Sequence, residues 1–371
     1  MMKKSQMKII ELTTFLETLA PLSLQEDYDN SGLIVGEPDA TITAAMISLD
    51  CTEAVIDEAI AKGCNFVISH HPIVFKGLKK FNKKNYVERA VMKAIKFDIA
   101  LYAIHTNLDH VLEGVNAKIC AKLGIKQYRI LSPRKNTLKK LVTFCPIQQA
   151  DQVRAAILQA GAGSIGNYSD CSFSTPGTGT FKASENANPF VGERGELHRE
   201  DELRIEIIYP EFLERNILIA LLQAHPYEEV AYDLYPLSNS YQQAGAGMIG
   251  TLDKPINEME FLRFVKGTLN AKVIRHTALR GKNVQRVAVC GGTGSFLLPA
   301  AIAAGADVFV TADFKYHEFF DAEGKIVISD VGHFETEQFT QELLFENIQK
   351  KFPNFAIHLT SIDTNPIKYI F

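Results

Sequence analysis

The run Phe66-Val67-Ile68-Ser69-His70-His71-Pro72 constrains this chain more than any other stretch. Residues 66–69 do not alternate polar with apolar, so they read as a strand buried on both faces, and Pro72 closes it. Open α/β sheets collect ligands outside the carboxyl ends of such strands, so His70 and His71 emerge where a site is expected. Successive strand residues point to opposite faces, but the backbone turns at a strand end, and the two imidazoles are then able to serve two adjacent ions. The plainer alternative is a pair of exposed loop histidines.

Three more strand ends repeat the pattern. Residues 99–104 run into His105-Thr106-Asn107-Leu108-Asp109-His110, residues 307–310 into a segment ending at His317, and residues 325–329 into Asp330-Val331-Gly332-His333, with Glu337 beyond. Gly332 permits a sharp strand-to-helix turn. An apolar period through Phe334, Phe339, Leu343 and Ile348 predicts one helix over 333–351. His333 and Glu337, four residues apart, then share a helix face. Nitrogen and oxygen donors together suit zinc, manganese or iron rather than calcium.

Around these stretches the chain reads as an α/β layer. A helix is predicted over 9–19, a polar loop over 27–36, a strand over 46–49, a helix over 53–62 capped by Thr52, and a helix over 86–96. At 132–136 the character changes to a charged, proline-containing linker, and a second unit begins. Its elements are a strand at 138–145, a helix at 150–160, a strand at 171–174, a polar arm to Asn188, a strand at 203–209, a helix at 212–224 and a closing segment near Leu237. The order β-α-β-β-α-β suggests a ferredoxin-like sandwich. Glycine-rich 244–250 marks the return to the first unit. There the turn Gly291-Gly292-Thr293-Gly294-Ser295 follows a strand at 287–290 and could hold a phosphate. It lacks the third glycine of a dinucleotide fingerprint, so a tight turn is the default.

At 371 residues two domains are the starting expectation. A net charge of −4 gives no general drive toward nucleic acid, and none is expected as a partner. Lys76, Lys79, Lys80, Lys83 and Lys84, just past the double histidine, either attract a phosphorylated ligand or form a solvated face. The six cysteines show no CxxC spacing, which predicts reduced thiols in a cytoplasmic protein. The N-terminal stretch mixes charged and apolar residues, and no window approaches the roughly 18 apolar residues of a membrane span.

Asp29-Asn30-Ser31-Gly32-Leu33, the double histidine with Pro72, His105-Thr106-Asn107-Leu108-Asp109, Thr311-Ala312-Asp313 through His317, Gly332-His333 to Glu337, and Thr364-Asn365-Pro366 together resemble the Nif3-like family, also known as GTP cyclohydrolase 1 type 2 homologues. The family typically has glycine where this chain has Ala312. The resemblance covers both flanks and implies a discontinuous Nif3-like α/β domain, residues 1–130 and 242–371, with a dinuclear metal site. This domain is interrupted at 136–238 by an insert similar to the trimeric PII and CutA proteins. It further implies a toroidal homohexamer and two divalent ions, zinc first with manganese or iron as alternatives. His70, His71, Asp109, His333 and Glu337 would hold them, with His105 nearby. With Glu337 as the bridge, His70 and Asp109 serve one ion, and His71 and His333 the other. His105 and His317 are candidates for proton transfer or substrate contact, or else only hydrogen-bond to ligands. The leading expectation is a metal-dependent hydrolase of a nucleotide-like or phosphorylated small molecule, with opening of the GTP imidazole ring implied by the family name. The opposing one is a non-catalytic metal-binding regulator whose insert senses a metabolite or partner.

Overall fold

The computed structural model describes residues 7–370. Residues 1–6 and Phe371, the outer ends of the two expected flanks, lie outside the described residues. The chain divides into two compact units, one formed by the residues up to Ser132 and from Gln243 onward, the other by Pro133–Gln242.

The first unit is mixed α/β and contains two sheets. In the first, the strands lie in the order Gly32–Val35, Ala100–Ala103, Phe66–His71, Ala45–Asp50 and Ile357–Leu359. Only the first pairing is antiparallel. Alternate residues of its parallel strands serve two cores. Met46, Val67 and Leu101 pack with Val55, Ile56, Ala90 and Val91 of the helices Glu53–Ala61 and Tyr86–Lys96. Ile47, Ile68 and Tyr102 face Leu12 and Leu16 of the helix Ile9–Leu19 in the other core. Burial on both faces is why these strands read as continuous apolar runs. The second sheet has the order Arg275–His276, Val327–Asp330, Val308–Ala312, Asn283–Thr293, Tyr241–Asn257 and Lys126–Arg134. Its strands at Asn283–Thr293, Val308–Ala312 and Val327–Asp330 are parallel, and Val287, Val289, Val308 and Val310 share the core of Ile47 and Ile68.

Several elements differ from expectation, each for a local reason. The loop predicted over 27–36 contains the strand Gly32–Val35, four residues too short for alternation to register. The linker predicted at 132–136 begins as the end of the strand Lys126–Arg134. Pro133 is tolerated there because this strand lies at the sheet edge. The helix predicted over 333–351 is two, His333–Glu337 and Thr340–Lys351. At the break the Gln338 side-chain amide donates to the carbonyls of Leu269 at 2.8 Å and Glu335 at 3.2 Å.

The second unit is a four-stranded antiparallel sheet in the order Phe173–Lys182, Leu197–Pro210, Leu138–Pro146 and Tyr232–Leu237. Helices Ala150–Gln159 and Glu214–Ala224 bury Val153, Ile157, Ile217 and Leu221 with Leu141, Ile205 and Ile207. The polar arm expected after Ser174 is instead strand as far as Lys182, and Pro176 fits because this too is an edge strand.

Asn107 ties the fold to the strand ends. It is fully buried, its amide donates to the Ala20 carbonyl at 2.7 Å, and its Oδ1 accepts the His105 N–H at 3.0 Å. Asn107→Ala leaves the Ala20 carbonyl unpaired and the His105 N–H with only Ser31 Oγ, at 3.2 Å, and we expect a loss of about 1–3 kcal/mol, read as a lower urea midpoint at unchanged slope.

Candidate metal centre

The parallel strands of both sheets in the first unit end in one cluster. His70, at the end of Phe66–His71, is fully buried and donates Nδ1–H to the Ile104 carbonyl at 2.8 Å, so its Nε2 carries a lone pair. That Nε2 and Asp109 Oδ1 lie 3.6 Å apart, both buried and both without a hydrogen-bond partner. Asp109 ends the short helix Thr106–Asp109 that follows the neighbouring strand. Glu337 Oε2 is 3.9 Å from the same Nε2.

His71 and His333 converge on that same Glu337 oxygen, at 2.9 Å and 3.0 Å from their Nε2 atoms, which are themselves 3.2 Å apart. Each ring is held from behind. Asp50 Oδ1 lies 2.8 Å from His71 Nδ1, and Asp313 Oδ2 lies 2.6 Å from His333 Nδ1. Thr364 Oγ1 in turn donates to Asp50 at 2.6 Å. His105 repeats the arrangement with Asp29 at 2.8 Å, its ring 5.2 Å from His70 and 5.3 Å from His71. Carboxylates behind imidazoles are the usual orienting groups of metal-binding histidines. Three sets of donors lie mutually within 4.8 Å: His71, His333 and Glu337; His70, Asp109 and Glu337; and His70, His71 and His105.

The electrostatics point the same way. Burial works against charge on Glu337, yet the facing His333 and His71 hold it well below the usual carboxylate range. Asp109 goes the other way, pushed up by burial and by the Glu337 charge. Burial disfavours the His71 imidazolium, but Asp50 and Glu337 outweigh it and raise the ring to about 9. In His333 the Glu337 charge and Asp313 likewise overcome burial and raise it to about 11. Two Nε2 atoms 3.2 Å apart cannot both carry protons without opposing their N–H bonds. The field therefore asks for positive charge at the point these atoms share, and a metal cation supplies it without that conflict. The orphaned His70 and Asp109 atoms ask for the same.

Two glycines shape the pocket. Gly332, at φ +110°, makes the strand-to-helix turn before His333. Gly292, at φ +59°, backs onto Glu337, and a Cβ there would stand 2.4 Å from Oε1. Its N–H donates to Thr336 Oγ1, while Gly291 N–H donates to Asn116 Oδ1. The glycine-rich turn thus serves close approach to the carboxylate, a role the phosphate reading missed.

A cleft of about 580 Å³ opens over His71, His105, Asp109 and His333, with Tyr28, Phe75, Tyr86 and Phe296 on its walls. Phe75 packs edge-on against His105 at 5.7 Å. It sits on the segment after the double histidine, which also carries the five exposed lysines from Lys76 to Lys84. His317 is exposed instead, its ring against Tyr316 and Phe320, and it is not among the cleft-lining residues. The orienting roles of Asp50, Asp313 and Asp29 escaped the sequence reading. For Asp50 a signal existed, since it ends the strand beside that of His71 and pairs with it in register. Among the described residues no helix is long and apolar enough to cross a membrane.

Fold and cluster together define an α/β protein whose strand ends form a histidine and carboxylate centre able to hold metal. The model of the Duf34/NIF3 (NGG1p interacting factor 3) family matches residues 7–366, and the chain belongs to that family. It is 39% identical to a GTP cyclohydrolase 1 type 2 homolog of Halalkalibacterium halodurans, over 95% of this chain and 96% of the relative. With the Bacillus subtilis protein of the same name it shares 38% identity over 97% and 98%. A crystal structure of a Bacillus cereus protein related to NIF3 superposes with a TM-score of 0.86 at 38% identity, covering 99% of this chain and all of that one.

Gly292→Ala places an L residue in the left-handed region and a methyl group on Glu337, and we expect it to cost more than the ~1–2 kcal/mol of the backbone conformation alone. In a Glu337→Ala background the methyl group no longer meets a carboxylate. A double-mutant cycle by thermal unfolding should therefore give a coupling of at least about 1 kcal/mol, and additivity would remove the steric account.

Proposed function

We propose that the chain binds two divalent metal ions and is a metal-dependent hydrolase of a nucleotide-like or phosphorylated small molecule. The observation that carries this reading is Glu337, whose one oxygen, Oε2, lies 2.9 Å from His71, 3.0 Å from His333 and 3.9 Å from His70, and whose carboxylate belongs to two donor sets, one with His71 and His333 and one with His70 and Asp109. In this proposal Glu337 bridges, His71 and His333 complete one site, and His70 and Asp109 the other. Mixed nitrogen and oxygen donors favour zinc first, then manganese or iron. Five protein ligands for two ions leave positions for water and substrate, as catalytic centres require. Bound there, such ions would polarise the attacked group and lower the pKa of a water.

The remaining roles fall to the chain's own groups. His105, oriented by Asp29 beside the cluster, is the proton-transfer residue. The exposed position of His317 leaves it out of that role. Phe75 and Tyr86 offer planar faces to a base, and the adjacent lysines offer charge to phosphates. The name of the relatives makes GTP ring opening the first reaction to test. We also read 136–238 as a ferredoxin-like insert, supported by its strand and helix order, the assembly as a toroidal hexamer, and the compartment as the cytoplasm, in keeping with six free cysteines. A cavity of about 700 Å³ in the second unit favours a second reading, a non-catalytic metal-binding regulator.

Mass-spectrometric metal analysis should find about two ions per chain, reduced in His71→Ala, and a hydrolysis screen over nucleotides and phosphoesters should find metal-dependent turnover. Glu337→Gln, while still folded, should lose at least about a hundredfold of that turnover. Absence of bound metal would sink the centre, and metal without turnover would favour the regulator.

A further inference from the structure

The second unit contains a cavity of about 700 Å³ that no part of the metal chemistry uses, within the size range of small-molecule sites. Four aromatic rings stand on its walls. Tyr227 lies 6.0 Å from Phe181 and 6.3 Å from Phe190, at interplanar angles of 61° and 53°, so the rings meet as angled walls rather than a stack. Phe144 adds a fourth ring.

Among these rings lies Glu202, only 8% exposed. Its Oε1 accepts the Tyr227 hydroxyl at 2.8 Å, and among the described residues no cationic side chain pairs with it. Its Oε2 occupies space kept free by Gly179, where a Cβ would stand 2.2 Å from that oxygen. Two cationic side chains, Lys182 and Arg204, also line the cavity, and neither pairs with Glu202. Arg204 donates to Glu206 at 2.9 Å and lies over the Phe144 ring at 6.0 Å from its centre. His225 donates Nε2–H to the Phe144 carbonyl at 2.9 Å and accepts the Tyr227 N–H on Nδ1 at 3.1 Å, a pattern only the neutral ring can make.

A buried carboxylate without a counter-ion is costly, and aromatic faces attract cations through their quadrupoles. Both features select the same ligand chemistry, and on the lining the carboxylates Glu202, Glu228 and Glu229 outnumber the cations Lys182 and Arg204. We propose that this cavity is a binding site for a small organic cation, an amine or quaternary ammonium compound with an apolar body, whose charge pairs with Glu202 while its body rests on Phe181, Phe190 and Tyr227.

Calorimetric titration of the intact protein with benzyltrimethylammonium, benzyl alcohol and benzoate tests this. The cation should bind at least about tenfold more tightly than the alcohol, and benzoate not at all. Glu202→Gln should weaken the cation about tenfold or more and leave the alcohol unchanged. Should that variant fail to fold, Phe181→Leu, which keeps an apolar wall but removes a π face, carries the same expectation at about threefold or more. Binding must persist in His71→Ala, which separates the site from the metal centre. Equal binding of benzoate, cation binding indifferent to both variants, or no binding of any probe because a second copy of the chain fills the cavity would overturn the proposal.

Discussion

The first unit depends on one buried carboxylate. Glu337 is 2% exposed and sits where imidazoles from both sheets of that unit meet. Leaving such a charge uncompensated would cost several kcal/mol, so its neighbours are constrained far more tightly than packing alone requires. His70 and His71 must arrive from one sheet and His333 from the turn after the other. The parallel strands of the two sheets share a core, and that shared core holds their carboxyl ends in a common register. The chemistry of the centre therefore follows from the packing of Ile47 and Ile68 with Val308 and Val310.

Around the carboxylate, orientation is settled before any ligand arrives. Every inward imidazole has its Nδ1 engaged, by the Ile104 carbonyl, Asp50, Asp313 or Asp29. The Nε2 lone pairs are thus aimed by hydrogen bonds rather than by rotamer preference, and little reorganisation is left for binding. The C-terminal segment joins this outer layer through Thr364 on Asp50 and Asn365 on Glu335. Asp29 collects His105, the Thr106 N–H and hydroxyl and the Ser31 hydroxyl, which explains why a polar stretch far from the double histidine belongs to the site.

Much of this was legible because the informative residues lie on short, strongly patterned segments. Phe66 to Ser69 read as a buried strand, and a histidine pair at its end was expected on the ligand side of a sheet, with exposed loop histidines as the plainer alternative. The His333 and Glu337 spacing needed only one helical turn, so it survived the break at Gln338 that split the predicted helix. What stayed hidden depends on contacts distant in sequence. Gly292 reads locally as a turn residue, and only the approach of Glu337 reveals its purpose. The edge strands Lys126–Arg134 and Phe173–Lys182 carry prolines that argue against strand until their edge position is known. His317 shares the strand-exit pattern yet stays exposed, because its segment turns through the helical stretch Tyr316–Ala322 on the surface.

The placement of the second unit in the chain also has a physical reason. The chain leaves the first unit at the strand Lys126–Arg134 and returns on Tyr241–Asn257, and these two strands are neighbours in the six-stranded sheet. Their pairing holds the two ends together, so the intervening residues close a loop whose ends are already fixed, and loop-closure entropy rises only slowly with length. An insertion of this size is then tolerated without loosening the sheet. All the clustered donors come from the first unit, so the histidine and carboxylate centre has no chemical need of the second. Yet the returning strand places Ala246 and Gly247 on the wall of the cleft, and a Cβ on Gly247, at φ +61°, would stand 2.8 Å from Leu297 and 2.9 Å from the Val289 carbonyl. The segment on which the chain re-enters the first unit is thus built tightly into the wall of the site.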